Sequence, residues 1–477
     1  MPENGAPVVL AVDLDGTLLR SDMLFESFCA AFAADWRTPF HAAGALRGGR
    51  AALKRRLADA AEIDVTLLPY DPKIIAYVER WRAAGGRTAL VTASDGALAR
   101  RIADHLGIFD EAHGSDGTRN LKGREKAAFM DETFGAGGYA YMGDAAADLP
   151  IWRGAARAIT VNAGAGLRAR ADALGGAAEH LTTVMPSPRP YLRALRPHQW
   201  LKNALVFVPM LAAHRLDGAT FAQSLLAFVA FSMIASAVYL LNDLLDLSAD
   251  RAHPRKRFRP LAAGTLQIMH GCAMAGALFA GGALLSVLAG WVFAGVMAIY
   301  VVLTTAYSLA LKRRAIIDVA VLAGLYTLRI VAGGAATGIP LSIWLLAFSI
   351  FFFFALAAVK RQAELVDSAA RGKLGAGGRG YVVEDLPVIS MMAISAGYVS
   401  VLVMALYVSS PDVAALYSQP MALGGICCVL LYWISRVVML THRGRMHDDP
   451  VVFAARDRVS QVSLGLIVIF AVIGSVA

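Results

Sequence analysis

The chain of 477 residues is 57% hydrophobic and only 17% charged, with a mean hydropathy of +0.54, which excludes an ordinary soluble protein. Its formal net charge is +9, and no nucleic-acid partner is expected. Residues 1 to about 190 mix charged and apolar residues, whereas nearly all the long apolar runs follow Trp200, so a soluble domain followed by a membrane domain is predicted.

Met1 to Pro7 offers neither a basic region nor a continuous apolar run, and no cleaved signal peptide is expected. Cys29, Cys272, Cys427 and Cys428 lack metal-ligand spacing, so reduced or buried thiols are expected instead of a disulfide framework. VVLAVDLDGTLL, from Val8, reads as a short strand ending in two acids. Alternation places Asp13 and Asp15 on one side, and Gly16 permits a sharp exit. RTALVTAS brings Thr92 to another strand end, NLKGREK supplies Lys122 with Lys126 as the alternative, and YAYMGDAAADLPIW adds Asp144 and Asp148. Strands alternating with helical patterns predict a parallel, doubly wound, Rossmann-like α/β sheet whose carboxyl ends gather these residues. Between the first acids and Thr92, LFESFCAAFAADW and RAALKRRLADAAEI have helical spacing.

The ordered set resembles the haloacid dehalogenase superfamily over roughly residues 8 to 175, and the helical insertion, approximately residues 20–85, looks like the cap of its phosphoserine-phosphatase-like branch. This resemblance implies that Asp13 is the nucleophile attacking phosphorus and Asp15 the general acid and base. It makes Thr92 and Lys122 ligands of the phosphoryl oxygens, and places Mg²⁺ on Asp13, Asp144 and the carbonyl of Asp15, with Asp148 in support. With an acid at Asp15 and Thr17 after it, phosphatase activity is expected rather than dehalogenation. A cap implies a small substrate such as a sugar phosphate.

A linker with Pro186, Pro188, Pro190 and Pro197 occupies about residues 176–199, and its Arg189, Arg193 and Arg196 suit a membrane surface. Beyond it the apolar runs predict an all-α bundle of about nine spans: 201–214, 218–241, 266–289, 291–311, 316–336, 341–359, 387–409, 419–441 and 459–477. The loops after the even-numbered spans carry the cations, among them Arg251, Arg259, Lys312, Lys360, Lys373 and Arg436, whereas those after odd-numbered spans hold only Arg215. That asymmetry puts the even-numbered loops and the N-terminal domain in the cytoplasm, with the chain in the inner membrane. Small residues in AMAGALFAGGALL and AGGAATG are read as helix-packing positions, and Phe351 to Phe354 as lipid-facing or packing surface.

The second span runs straight into NDLLDLSADRAHPRKRFRP. On a helix Asn242, Asp246 and Asp250 fall at i, i+4 and i+8, with Asp243 one residue off that line. Such a cluster repels itself near a bilayer unless a cation intervenes, and hard oxygen ligands suggest Mg²⁺; the alternative is a solvated loop that fixes topology. Asp318 opens the fifth span, where an acid is costly; it either pairs with Lys312 or Arg329, or adds a polar contact to the site.

Asn-Asp-x-x-Asp-x-x-x-Asp after the second span resembles the first aspartate-rich motif of the UbiA superfamily of membrane prenyltransferases. LRPHQWLKN, NDLLDLSADRAHPRKRFRPLAAG, YSLALKRRAIIDVAVLAG, LRIVAGG and KRQAEL together look like its decaprenyl-phosphate phosphoribosyltransferase branch, over roughly residues 190 to 477. Where aromatic prenyltransferases carry a second aspartate-rich cluster, this chain reads VKRQAELVD from Val359, so Lys360 and Arg361 are placed to hold a phosphate directly. The resemblance implies Mg²⁺ on Asn242, Asp243, Asp246 and Asp250, and substrate contacts from Lys202, Asn203, Arg257, Lys312, Arg313, Lys360, Arg361 and Glu364. It further implies phosphoribosyl diphosphate as donor and a polyprenyl phosphate as acceptor, with the phosphatase domain removing the ribose 5-phosphate. The competing expectation keeps the fold but makes it an aromatic prenyltransferase using an allylic diphosphate, with a phosphatase domain acting on another ester or serving regulation.

Overall fold

The structure is a computed structural model and describes residues 9–475 apart from 117–118, 176, 186, 373–374, 376–378, 412, 414–416 and 447–448. Pro186 of the linker and Lys373 of the sixth-span loop lie outside the described residues. The chain forms two compact units, one of residues 1–195 with 239–276 and the other of 196–238 with 277–477.

The first unit is built on six parallel strands, β1 (Val9–Val12), β2 (Thr88–Asp95), β3 (Glu111–Ser115), β4 (Tyr139–Gly143), β5 (Arg157–Val161) and β6 (Ala177–Leu181), in the order β3-β2-β1-β4-β5-β6. The order reverses at β1, which pairs with both β2 and β4, and the carboxyl ends of the strands at such a switch point are where a doubly wound sheet places its ligands. β1 has no exposed face. Leu10 and Val12 pack with Leu18, Ile74 and Leu90, while Val9 and Ala11 pack with Tyr139, Tyr141 and Trp152. Burial on both faces explains why the strand reads as an unbroken apolar run.

Three helices, Met23–Ala34, Thr38–Leu46 and Arg50–Ala60, follow β1 as the inserted cap. Asp22 caps the first of them by accepting from the amides of Leu24 and Phe25. The next helix, Pro72–Ala83, starts on an Asp71 cap and buries Ile74 and Val78 in the core cluster shared with β1, so it is a crossover helix of the sheet although it falls inside 20–85. The sheet also runs past residue 175, because β6 adds a sixth strand within the segment read as linker. Its sequence, AAEHL, is too weakly apolar to announce an edge strand.

The segment 239–276 packs in this same unit. The Arg251 guanidinium meets the Glu26 carboxylate of the first cap helix at 3.0 and 2.6 Å and also bonds the Ala262 carbonyl. Gly264 lies against Arg20 and Pro69 so closely that a Cβ would stand 2.8 Å from Cβ of Arg20.

Among the described residues, eight helices are long and apolar enough to cross a membrane, from Gly218–Leu245 to Arg458–Ser475. The expected ninth, 201–214, is not one. Pro197–Phe207 is 3-10 helix and is followed by the short helix Val208–Ala212, which starts with Pro209 in its first turn. A proline without an amide hydrogen and the poorer bonding of a 3-10 helix both work against a continuous span. The segment instead lies on the helix Ile317–Thr337, where Gly333 leaves room for the Val206 carbonyl: a Cβ would come within 2.0 Å of it. Gly281 and Gly282 similarly accept Met233 and Ile234, so the small residues serve packing. Phe353 stacks on Tyr326 and Phe352 on Phe348, whereas Phe351 is exposed.

Candidate active sites

In the first unit the motif residues meet beyond the carboxyl end of β1. Asp13, just past the strand, accepts from Lys126 Nζ at 2.8 Å; the same ammonium donates to the Val91 carbonyl and bonds Tyr141 Oη at 2.9 Å. Lys126 is buried on the inner side of the helix Arg124–Phe134, while Lys122 precedes that helix and is exposed. Of the two lysines, Lys126 is therefore the one joined to Asp13. Asp15 has partners of its own: its carboxylate accepts from the Met23 amide at 2.7 Å and from Ser94 Oγ at 2.6 Å. Thr92 is fully buried, and its Oγ1 accepts from the Ser94 amide.

Oxygens of Asp13, Asp144 and Asp148 lie within 4.8 Å of one another, an all-carboxylate set of the kind a hard divalent cation such as Mg²⁺ takes. Asp148 thus stands among the gathered acids themselves, where it also bonds Tyr141 and the Ala145 amide. Burial, with Asp13 and Asp148 close by, pushes the Asp144 carboxyl up to about 8, and burial together with Asp22 and Asp13 pushes Asp15 up to about 7. A cation would relieve the first and leave the second as an acid able to exchange a proton near neutrality. Gly16 has φ +75°, and a Cβ there would meet Asp144 Oδ2 at 2.2 Å, so both the turn and the acid's approach require glycine. Ser94 and Tyr141 carry no signal of their own in the sequence, although both lie beside the motif residues. Lys54 of the cap escapes the sequence reading too; it bonds the Ala93 carbonyl and Asn120.

The aspartate-rich segment keeps helical phasing: the Asp246 amide bonds the Asn242 carbonyl and the Asp250 amide bonds the Asp246 carbonyl, across a break at Asp246. Arg259 Nη1 bridges Asp243 at 3.0 Å and Asp250 at 2.6 Å. A guanidinium thus stands against two of the acids expected to hold metal. The buried Oδ1 of Asp250 nevertheless has no hydrogen bond, with the Lys256 ammonium 3.8 Å away, and remains available to a cation. Asn242 and Asp246 are both half-buried. Arg257 is exposed and stacks on Phe258.

In the second unit, Lys202 and Lys360 converge on Asp449 Oδ2 at 2.7 and 3.2 Å. Asn203 joins Ser232 to Arg329. Arg361, by contrast, is fully buried and pairs with Asp318 at 2.6 Å; Tyr381 bonds the other oxygen of Asp318. Asp318 therefore pairs with neither Lys312 nor Arg329. Glu364 binds Arg361 and, at 3.3 Å, Arg379. Lys312 is half-buried and Arg313 exposed, in a 3-10 turn that makes none of these contacts. Asp449 escapes the sequence reading because HDDP, far along the chain, reads as a loop.

Residues 204–456 match the UbiA prenyltransferase family and residues 10–153 match haloacid dehalogenase-like hydrolases. The chain is 39% identical to the uncharacterized protein y4nM of Sinorhizobium fredii, over 94% of this chain and 88% of that one. It is 38% identical to the nodulation protein NoeC of Azorhizobium caulinodans, over 57% of this chain and 89% of NoeC. Decaprenyl-phosphate phosphoribosyltransferase of Mycolicibacterium smegmatis is 41% identical over 36% of this chain and 56% of its own length. A solved UbiA homologue from Archaeoglobus fulgidus superposes with a TM-score of 0.46 at 15% identity, over 60% of this chain and 100% of its own. This multi-pass membrane protein belongs to the UbiA prenyltransferase family and carries a haloacid dehalogenase-like domain ahead of its membrane region.

Proposed function

We propose that the membrane region transfers phosphoribosyl from phosphoribosyl diphosphate to a polyprenyl phosphate, and that the N-terminal domain removes the 5-phosphate from the lipid-linked product. The observation that carries the reading is the meeting of Lys202 and Lys360 at one carboxylate oxygen, although they come from segments far apart in the chain. Cations gathered at one point suit a phosphorylated acceptor better than an uncharged aromatic one. The named phosphoribosyltransferase relative supports the same chemistry.

In the transfer, an oxygen of the lipid phosphate attacks C1 of the ribose, and the bond from C1 to the diphosphate breaks with its electron pair leaving on the diphosphate. Asn242, Asp243, Asp246 and Asp250 are the residues that would hold Mg²⁺, which supplies neutralisation of the leaving group's charge. The phosphate nucleophile is already anionic, so no base is assigned. Both sites facing the cytoplasmic side of an inner membrane would let the product pass between tethered domains.

In the dephosphorylation, Asp13 attacks phosphorus while Asp15 donates its proton to the departing sugar oxygen. Water then attacks the aspartyl phosphate as Asp15 takes its proton back, releasing inorganic phosphate. Lys126 holds Asp13 and balances charge on the phosphoryl oxygens, with Thr92 beside it. Asp13, Asp144 and Asp148 would hold the Mg²⁺ that neutralises the phosphoryl group.

The test is incubation of the purified protein in detergent with labelled phosphoribosyl diphosphate, Mg²⁺ and a polyprenyl phosphate, followed by analysis of the lipid extract. Wild type should yield lipid-linked ribose, and Asp13→Asn should stop at lipid-linked ribose 5-phosphate. If no label enters the lipid while an allylic diphosphate and an aromatic acceptor react, the phosphoribosyl reading is wrong.

A further inference from the structure

Among the described residues, the cluster around Asp449 gathers more positive than negative charge. Lys202, on the 3-10 segment Pro197–Phe207, and Lys360, on the helix Ile343–Ala370, share Asp449 Oδ2. Tyr326 donates its hydroxyl to Asp449 Oδ1 at 3.3 Å, and that oxygen also accepts from the Val451 amide. Arg329, one helical turn after Tyr326, lies 5.5 Å from the centre of the Tyr326 ring, and Lys202 Nζ lies 5.7 Å from the same ring. Arg329 is buried and its Nε is fixed by Asn203 Oδ1 at 3.0 Å. Among the described residues, Lys202 and Lys360 thus meet at one carboxylate, and Arg329 flanks the Tyr326 ring that Lys202 also approaches. Lys202 and Asp449 are nearly closed off, while the Lys360 side chain is 32% exposed and marks the open rim.

Excess positive charge inside a membrane protein is costly unless an anion completes it. The single negative charge of Asp449 balances only one of the two ammonium groups bonded to it. A phosphate monoester, with a charge of about −1.5 to −2 at neutral pH, can balance both. The carboxylate of Asp449 already sits where two ammonium groups point, which is the geometry a phosphate oxygen would require.

We propose that Lys202, Lys360 and Arg329 form a receptor for a phosphate monoester dianion, and that Asp449 is the resident counter-ion which this phosphate displaces. The inference rests on the reading of Lys202 and Lys360 as substrate-binding residues and extends it to Arg329 and Asp449. Two sources offer the chemistry: the head group of a polyprenyl phosphate and the 5-phosphate of the sugar donor.

The first measurement is the affinity of the full-length protein in detergent for inorganic phosphate, by calorimetric titration, with no turnover required. Asp449→Asn removes the competing charge and should bind phosphate about tenfold more tightly, whereas Lys360→Gln should bind it about tenfold more weakly. Unchanged or weaker binding by Asp449→Asn overturns the counter-ion role. Unchanged binding by Lys360→Gln overturns the receptor, and this rim substitution keeps the test open if Asp449→Asn fails to fold. In the transfer assay, a fall in KM for the polyprenyl phosphate in Asp449→Asn identifies the lipid head group as the ligand, and a fall in KM for phosphoribosyl diphosphate identifies the sugar phosphate. Tight phosphate binding without any phosphoribosyl transfer upholds the receptor and rejects the reaction.

Discussion

Lys126 Nζ stands 2.8 Å from Asp13 Oδ1, and both groups are buried although 113 residues separate them in sequence. Lys122, four residues earlier, is exposed. Removing Lys126 leaves Asp13 without its counter-ion and, in the proposed hydrolysis, takes a charged donor from the phosphoryl group. Lys126→Met should lower phosphate-ester hydrolysis at least about a hundredfold. Lys122→Met should stay within a few-fold of wild type. Steady-state hydrolysis of ribose 5-phosphate by the two variants checks the assignment, and a larger loss in Lys122→Met would reverse it.

Metal and pH should act on the first unit in opposition. Burial and the neighbouring acids raise the Asp144 carboxyl from its usual value of 3.8 to about 8. Between about pH 4 and pH 8 the native state therefore holds a proton that the unfolded chain has released, so metal-free protein should lose stability as pH rises through that window. Mg²⁺ needs the deprotonated carboxylates, so its stabilisation should grow over the same range. Thermal melting with EDTA or with Mg²⁺ at both ends of the window measures this. Gly16→Ala, which drives a Cβ into Asp144, should abolish the Mg²⁺ effect.

The strand-end acids are legible in sequence because a strand ends where an apolar run stops, and the acid-bearing turns follow directly. Asp13, Asp15 and Asp144 are local features of that kind, and Asp148 follows in the next turn, whereas Thr92 lies inside β2, which runs on to Asp95 past the expected strand end. The choice between Lys122 and Lys126 is not, since it depends on where the helix Arg124–Phe134 begins and which face it buries. Asp449 is harder still: its partners lie 247 and 89 residues away, and no local pattern couples them. The short 201–214 run misleads because composition counts apolar residues without registering what Pro209 does to hydrogen bonding.

Arg361 and Lys360 are neighbours with different fates. Arg361 is fully buried against Asp318 at 2.6 Å, whereas Lys360 reaches the rim. Breaking a buried pair by removing one partner costs roughly 3–5 kcal/mol. Arg361→Gln should accordingly lower thermal stability in detergent, with KM for both substrates unchanged in the protein that remains folded. Lys360→Gln should do the opposite, raising a KM with little loss of stability. A KM shift in Arg361→Gln at unchanged stability would return that residue to the substrate.

Glu26 and Arg251 join the cap of the phosphatase-like domain to the aspartate-rich segment, 225 residues later in the chain. The pair is bidentate, and its side chains are only 5% and 7% exposed. Met23, one turn before Glu26, donates its amide to Asp15, while Asp250, just before Arg251, is bound by Arg259. Glu26→Ala leaves a buried guanidinium without its partner, at a cost of roughly 3–5 kcal/mol. The Glu26→Ala/Arg251→Ala double variant should lose less than the sum of the single losses, because the second change removes the orphaned charge. Loosening Arg251 should also disturb Asp250, so Glu26→Ala should slow lipid phosphoribosylation even though Glu26 belongs to the other domain. Asp13→Asn, which disables hydrolysis without touching this pair, should leave the transfer rate unchanged. Equal transfer rates in wild type and Glu26→Ala would show that the contact holds the segment in place without bearing on its chemistry.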